Sequence, residues 1–93
     1  MINVNEYFGG AVKSLGFSDA QGKATVGVMD PGSYEFGTST PETMKVVSGT
    51  MSVKLPGQSD YRDYPTGSTF SVPANAKFEL KLAAQAAYLC LYR

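Results

Sequence analysis

The chain has 93 residues, which is the length of one small domain and too short for two separate hydrophobic cores. Eight Lys and Arg residues balance eight Asp and Glu residues, and this zero net charge excludes the basic excess typical of nucleic-acid binding. Because there is no histidine and only one cysteine, the composition excludes Ser-His-Asp and Cys-His catalysis, imidazole metal sites and an internal disulfide.

The predicted elements are short strands separated by turns. Residues 3–8 are compatible with one short turn of helix, and no longer segment has a helical period. Strands are predicted over residues 23–29 and 50–55. Residues 77–82 alternate polar and apolar without a fault, which places the three apolar side chains on one buried face. Together with turn signals such as Asp30-Pro31-Gly32, this spacing predicts an all-β sandwich or barrel with little helix.

The last predicted strand, residues 87–92, is apolar on both faces. One face is expected to pack on the core of the domain. The other face is covered either by a partner subunit or by burial of the whole strand inside a closed barrel, and the sequence leaves both possibilities open.

No targeting or membrane segment is expected. The first six residues lack a basic segment followed by an apolar run, so a signal peptide is not predicted. No stretch approaches the roughly 18–20 apolar residues that span a bilayer. An unpaired thiol, Cys90, is typical of a reducing compartment, and we therefore expect a cytoplasmic protein without membrane contacts.

Two spacings resemble the motifs of the cupin superfamily of small β-barrels. Glu42 is followed by six residues and then Gly49, as in the first cupin motif. Gly67 is followed by five residues and then by residues 73–75, with Phe78 three positions further, as in the second motif. The resemblance implies a single all-β domain over residues 1–93, a jelly-roll-like barrel of the cupin type.

The residues that bind metal in cupins are replaced in this chain. Residues 34–38, Tyr-Glu-Phe-Gly-Thr, stand where cupins have a His-x-His pair, and Phe78 stands at the histidine of the second motif. Asn75 occupies the motif's glycine position. The resemblance therefore implies a barrel that keeps its fold and binds no metal.

A closer resemblance covers nearly the whole chain. It is carried by Asn5–Phe8, Val12–Phe17, Val26–Met29, Ser48-Gly49, Phe70-x-Val72-Pro73, Phe78-x-Leu80 and Tyr88–Cys90. These segments resemble the pyrimidine/purine nucleoside phosphorylase family of single-domain cupins. The resemblance implies a cytoplasmic, metal-independent homodimer without a cofactor. It also implies broad phosphorolysis of purine and pyrimidine ribonucleosides to the free base and ribose 1-phosphate, with phosphate as co-substrate.

Glu42 is the expected catalytic residue under this resemblance. Phosphorolysis of a glycosidic bond develops positive charge on the ribose, as glycoside hydrolysis does. In the cupin register the Glu42 carboxylate points into the barrel, where it can bind ribose hydroxyls or stabilise that charge. The alternative is a solvated carboxylate at the start of a strand.

The other expected site residues bind substrate. Phe36 and Phe78, at the positions of the missing metal ligands, are expected to form an aromatic wall against the base, with core packing as the alternative. Thr38, Ser39 and Thr40 offer hydroxyls beside them, although such a run is also typical of a polar turn.

Arg93 is the expected phosphate-binding cation, since family members often have arginine where this chain has Leu91, on the same face of the strand. Cys90 lies in an apolar run without a neighbouring cation, which is typical of an inert buried thiol.

Two other functions remain open. One is a non-catalytic, metal-free cupin that binds a small sugar or nucleotide, and the other is a dimerisation module without a ligand.

Overall fold

The computed structural model describes residues 1–93 and places 63% of them in ten β-strands. It contains no α-helix and one short 3₁₀ turn, Phe8–Gly10. The prediction of an all-β fold with little helix is confirmed. The strands are β1 Asn3–Tyr7, β2 Val12–Asp19, β3 Gly22–Met29, β4 Gly32–Gly37, β5 Glu42–Ser48, β6 Thr50–Lys54, β7 Arg62–Pro65, β8 Thr69–Val72, β9 Lys77–Leu82 and β10 Ala86–Leu91. The structure has no helix with the length and apolar character of a membrane span.

The strands form two antiparallel sheets that share one core. The larger sheet has the order β1-β2-β3-β10-β5-β8, and the smaller has the order β4-β9-β6-β7. Fifteen buried hydrophobic residues from both sheets make a single cluster, in which Met29, Met51 and Leu80 are among the largest fully buried side chains. A two-layer all-β architecture of this kind holds its core between the inner faces of the sheets.

Alternation of polar and apolar residues explains the strands that were predicted. The prediction for residues 77–82 coincides with β9, and Phe78, Leu80 and Leu82 are buried while Lys77 and Lys81 are exposed. The predictions for residues 23–29 and 50–55 correspond to β3 and β6 within one residue.

The prediction of a helical turn over residues 3–8 is wrong. Residues 3–7 form β1, which pairs with β2 through five consecutive residue pairs, because tertiary strand pairing overrides a weak local preference. The 3₁₀ turn follows the strand, and there Phe8, Gly9 and Gly10 have φ values of 53°, 67° and 94°. These left-handed residues reverse the chain into β2.

Two turns show why the cupin spacings recur in this chain. Asn75 has a φ of 58°, the left-handed conformation that asparagine tolerates better than most residues and that glycine adopts freely. Gly49 has a φ of 95°, and a Cβ there would lie 2.9 Å from the Gln85 carbonyl oxygen. The glycine position of each motif therefore requires an unusual backbone conformation.

We expect Gly49→Ala to destabilise the protein more than Gly57→Ala. A side chain at either position meets left-handed strain of about 1–2 kcal/mol. At Gly49 the close Gln85 carbonyl adds overpacking of about 1–3 kcal/mol, whereas a Cβ at Gly57 would have no atom within 4 Å. Urea unfolding of both variants measures the difference, and equal losses would contradict the close approach at Gly49.

Candidate functional site

A cavity of about 210 Å³ lies between the two sheets. The smaller sheet contributes Phe36, Gly37 and Phe78 to its lining, and the larger sheet contributes side chains from β1, β2, β3, β5 and β10. The inward residues of β10, Tyr88 and Cys90, lie on its floor because β10 is hydrogen-bonded to β3 on one side and to β5 on the other.

Aromatic rings form one wall of the cavity. Phe36 stacks against Phe78 with ring centroids 5.8 Å apart and an angle of 27° between the ring planes. Tyr7 and Phe8 meet Phe36 edge-on, at 6.4 and 5.4 Å. The sequence prediction that Phe36 and Phe78 lie together at one cavity agrees with this placement. Phe78 is buried and packs in the core, and it also lines the cavity.

Glu42 is the acidic residue of the cavity. It is the first residue of β5, is half-buried, and accepts a hydrogen bond from the Cys90 thiol, with 3.4 Å between Sγ and Oε1. Burial raises the pKa of the Glu42 carboxyl, and the hydrogen bond from Cys90 partly offsets that rise. The cavity thus holds a carboxylate in a partly desolvated setting, as its cupin register predicts.

Hydroxyl groups lie on the floor of the cavity. In the register of the sheet, Ser14, Gly27 and Tyr88 are cross-strand neighbours. A Cβ at Gly27 would lie 2.5 Å from the Tyr88 hydroxyl oxygen, so the missing side chain lets the tyrosine ring cross β3 toward Ser14. Ser14 also accepts a hydrogen bond from the Asn5 amide at 3.2 Å.

Burial keeps the acidic groups on the floor of the cavity protonated. It raises the pKa of Tyr88 to about 12 and the pKa of the Cys90 thiol to about 12. The pKa of Tyr92 is raised by burial as well, and its hydroxyl lies 3.1 Å from the Thr25 hydroxyl. At neutral pH these groups are therefore neutral hydrogen-bond donors.

The structure does not bring Thr38, Ser39 or Thr40 to the cavity. The Thr38 hydroxyl donates to the Pro73 carbonyl at 2.6 Å and accepts from the Ala76 N–H at 3.1 Å. Those bonds fasten the end of β4 to the turn before β9. Ser39 and Thr40 are exposed in a bend, which is the polar-turn alternative for this run.

Arg93 lies outside the cavity as well. Its guanidinium binds both carboxylate oxygens of Asp19 on the β2–β3 hairpin, at 3.2 and 3.3 Å. No lysine or arginine lines the cavity. The hydroxyl donors available to an anion there are those of Tyr7, Ser14, Tyr88 and Tyr92, none of which was predicted as a site residue. The period-2 alternation of β10, continued one residue beyond its end from Cys90 to Tyr92, was the signal that could have found Tyr92.

The residues at the cupin metal positions do not fit a metal ion. Phe36 and Phe78 have no donor atoms, and the Thr38 hydroxyl is committed to the backbone of the turn. No group of three or more His, Cys, Asp or Glu side chains is arranged to hold a metal anywhere in the chain. Glu42 is left as a single oxygen ligand, short of the three or four protein ligands that structural and catalytic zinc sites use.

Comparison with known proteins shows which family this chain is similar to. Residues 2–92 match the family described as pyrimidine/purine nucleoside phosphorylase. A protein of that name from Pseudomonas fluorescens is 58% identical over 93 residues, covering 100% of this chain and 99% of the relative. Another of that name, from Pseudomonas aeruginosa, is 57% identical over the full length of both chains.

Solved structures agree with the fold. A protein of unknown function from Vibrio parahaemolyticus superposes with a TM-score of 0.96 at 47% identity, covering 100% of this chain and 99% of that chain. An RmlC-like cupin from Shewanella frigidimarina superposes with a TM-score of 0.72 at 17% identity, covering 97% of this chain and 81% of that chain. The second likeness concerns the fold alone, and it confirms the cupin-type architecture.

We expect Thr38→Val to lower stability, because valine keeps the shape of threonine and removes the hydroxyl. The Ala76 N–H and the Pro73 carbonyl each lose a partner, and a buried unsatisfied group costs about 1–3 kcal/mol. Ser39→Ala, at an exposed neighbour, is the control and should change stability by less than about 0.5 kcal/mol. Urea unfolding measures both. A wild-type midpoint for Thr38→Val would show that these two hydrogen bonds do not fasten the turn.

Proposed function

This chain belongs to the pyrimidine/purine nucleoside phosphorylase family, and we propose that it cleaves purine and pyrimidine ribonucleosides with phosphate. The products are the free base and ribose 1-phosphate, formed within the single domain of residues 1–93. One observation on this chain's own residues supports the proposal. The Glu42 carboxylate and an aromatic wall line the same partly closed cavity, which is where a sugar and its base require them.

The reaction exchanges one bond at the anomeric carbon for another. The C1′–N bond breaks with its electron pair going to the base, and a phosphate oxygen forms the new C1′–O bond. The proton carried by hydrogen phosphate is transferred to the departing base, so that atoms and charge balance. Between these events the ribose carries positive charge, as in glycoside hydrolysis.

We assign the stabilisation of that charge to Glu42. It is the one carboxylate in the cavity, and partial burial weakens the solvent screening of its field. The same oxygens can accept hydrogen bonds from ribose hydroxyls, which would orient the sugar. Both functions need Glu42 ionised, although burial favours its protonated form.

We assign the base to the aromatic wall of Phe36 and Phe78, with Tyr7 at its edge. Stacking is worth about 1–3 kcal/mol per base and does not depend on the pattern of hydrogen-bonding groups. Because every nucleobase has a π-face, such a wall supports broad specificity for purines and pyrimidines.

Phosphate binding has to be explained without a cation in the cavity. The hydroxyls of Ser14, Tyr88 and Tyr92 point to neutral donors as the groups that receive the anion. Arg93 would have to leave its paired contacts with Asp19 to take part, so we give it the smaller role. Thr38, Ser39 and Thr40 would contribute only if the turn around them rearranged.

We further propose that the reaction is independent of metal and of any cofactor, since the positions of the cupin ligands hold Phe36, Thr38 and Phe78. A cytoplasmic location is supported by the free, buried thiol of Cys90.

The second candidate function, a non-catalytic binder of a small sugar or nucleotide, uses the same cavity. It is favoured by the lack of a cation at a site that must turn over an anion.

One assay separates these two functions. The protein is incubated with uridine or inosine, with and without phosphate and after treatment with a chelator. Release of free base that depends on phosphate and resists the chelator is the expected result. No release from several nucleosides at high protein concentration would favour the binder, and loss of release after chelation would contradict metal independence.

We expect Glu42→Gln to lower turnover by about a hundred- to a thousand-fold, because one placed charge-stabilising group is worth about that much. The fold should persist, since glutamine keeps the size and a hydrogen-bonding oxygen. Glu35→Gln is the matched control, because Glu35 is exposed on the face of β4 opposite to Phe36. Near-wild-type turnover for Glu42→Gln would remove Glu42 from the mechanism.

The pH dependence of turnover provides a second measurement on Glu42. Because burial raises the pKa of Glu42, activity should be lost on acidification above the ordinary glutamate pKa of about 4.3. The residual activity of Glu42→Gln should lack this acid limb. An acid limb that persists unchanged in the variant would assign it to another group.

A homodimer is the assembly we propose, and the outer face of the larger sheet supports it. Val4, Leu15, Val26 and Leu89 form one cross-strand row on that face, and the row continues into polar Lys45 and Thr69. The first three side chains are 64%, 46% and 44% exposed, and contiguous apolar surface of this kind favours a protein partner. A second copy related by a two-fold axis would cover the row on both subunits.

We expect Val26→Glu to convert the dimer to a monomer, because two-fold symmetry places two unpaired carboxylates in one apolar interface. Thr69→Glu is the matched control at the polar end of the same row and should leave the assembly unchanged. Sedimentation equilibrium at micromolar concentration measures the mass. A wild-type monomer under those conditions would contradict the proposed dimer.

A further inference from the structure

The inward side chain of β10 next to Glu42 is the thiol of Cys90. Cys90 is buried and lies opposite Thr25 on one neighbouring strand and Met44 on the other. Its sulfur is 3.4 Å from the Glu42 carboxylate, the only side-chain hydrogen bond that the structure gives to Glu42. A residue that only filled the core would not need a donor at this point.

Cys90 can act toward Glu42 only as a donor. A carboxylate accepts hydrogen bonds, and burial beside that carboxylate keeps the thiol protonated at neutral pH. The Tyr92 hydroxyl lies 3.1 Å from the Thr25 hydroxyl, and both of these groups face the Cys90 sulfur, whereas no hydroxyl is hydrogen-bonded to Glu42. The orientation of the Glu42 carboxylate therefore depends on the hydrogen bond from the Cys90 thiol.

We propose that Cys90 is a positioning residue, whose thiol holds the Glu42 carboxylate ionised and aimed at the ribose. This inference rests on the proposed function for its effect on turnover. It does not make Cys90 a nucleophile, and no bond to sulfur forms. The donated hydrogen bond favours the charged form of Glu42 and opposes the effect of burial.

A pair of substitutions separates positioning from packing. Cys90→Ser keeps a donor of similar size, whereas Cys90→Ala removes the donor. Positioning predicts that Cys90→Ala lowers kcat by about tenfold with little change in KM, and that Cys90→Ser retains most of the activity. If the thiol only filled the core, Cys90→Ser would be the more impaired of the two variants. A buried hydroxyl lowers the free energy of unfolding more than a buried methyl group does.

The pH profile is a readout that packing alone does not move. Loss of the donor raises the pKa of Glu42 further, so the acid limb of kcat should shift to higher pH in Cys90→Ala and less in Cys90→Ser. Coincident acid limbs in wild type and Cys90→Ala would overturn the proposal. Equal turnover of the Ser and Ala variants would overturn it as well.

Infrared spectroscopy tests the contact without any turnover. The S–H stretching band of this chain comes from one thiol, because Cys90 is the only cysteine. The band should shift between wild type and Glu42→Gln, since a carboxylate is a stronger acceptor than an amide. An unshifted band would overturn the inference. An inactive wild type with a shifted band would instead contradict the proposed function and leave the contact established.

Discussion

Strand β10 is hydrogen-bonded to β3 on one side and to β5 on the other, so its pleat decides what each face of the larger sheet can do. Tyr88 and Cys90 point inward, where they form the floor of the cavity. Leu89 points outward into the apolar row that includes Val26. A shift of one residue in the register of this strand would exchange the two sets of side chains, placing leucines in the cavity and polar groups on the outer face. The site and the proposed dimer surface therefore depend on one register.

Strands with one polar face were predictable from the sequence, and β9 shows why, because its lysines alternate with buried apolar residues. Strand β2 was not predicted. Its exposed face mixes Lys13 with apolar Leu15 and Phe17 and its buried face includes Ser14, so polarity does not distinguish the two faces. The same limit applies to residues 87–92, where apolar residues on both faces left the partner and the closed barrel equally open. Local pattern also failed at β1, which is held as a strand by its pairing with β2.

The candidate site was predictable where a motif placed it. The cupin register put Glu42, Phe36 and Phe78 at one cavity, and the structure places them there. Hydroxyl-bearing residues were not predictable in this way, because their partners are distant in sequence. Thr38 binds the turn at residues 73–76 and so is unavailable to a ligand. Cys90 was interpreted as an inert buried thiol from its apolar neighbours, and its burial and raised pKa agree with that; its contact with Glu42 was not predictable, because Glu42 lies on an adjacent strand.

The glycine at position 27 sets how far the Tyr88 ring extends beneath the cavity. Gly27 does not itself line the cavity, so the depth of the floor depends on a residue behind the lining. One methyl group at position 27 would force the ring elsewhere, while Glu42 and the aromatic wall kept their identities. The room above the floor is therefore set by the backbone of β3 as well as by the side chains that line the cavity. A change in the shape of the cavity can thus come from a position that contributes no atom to its surface.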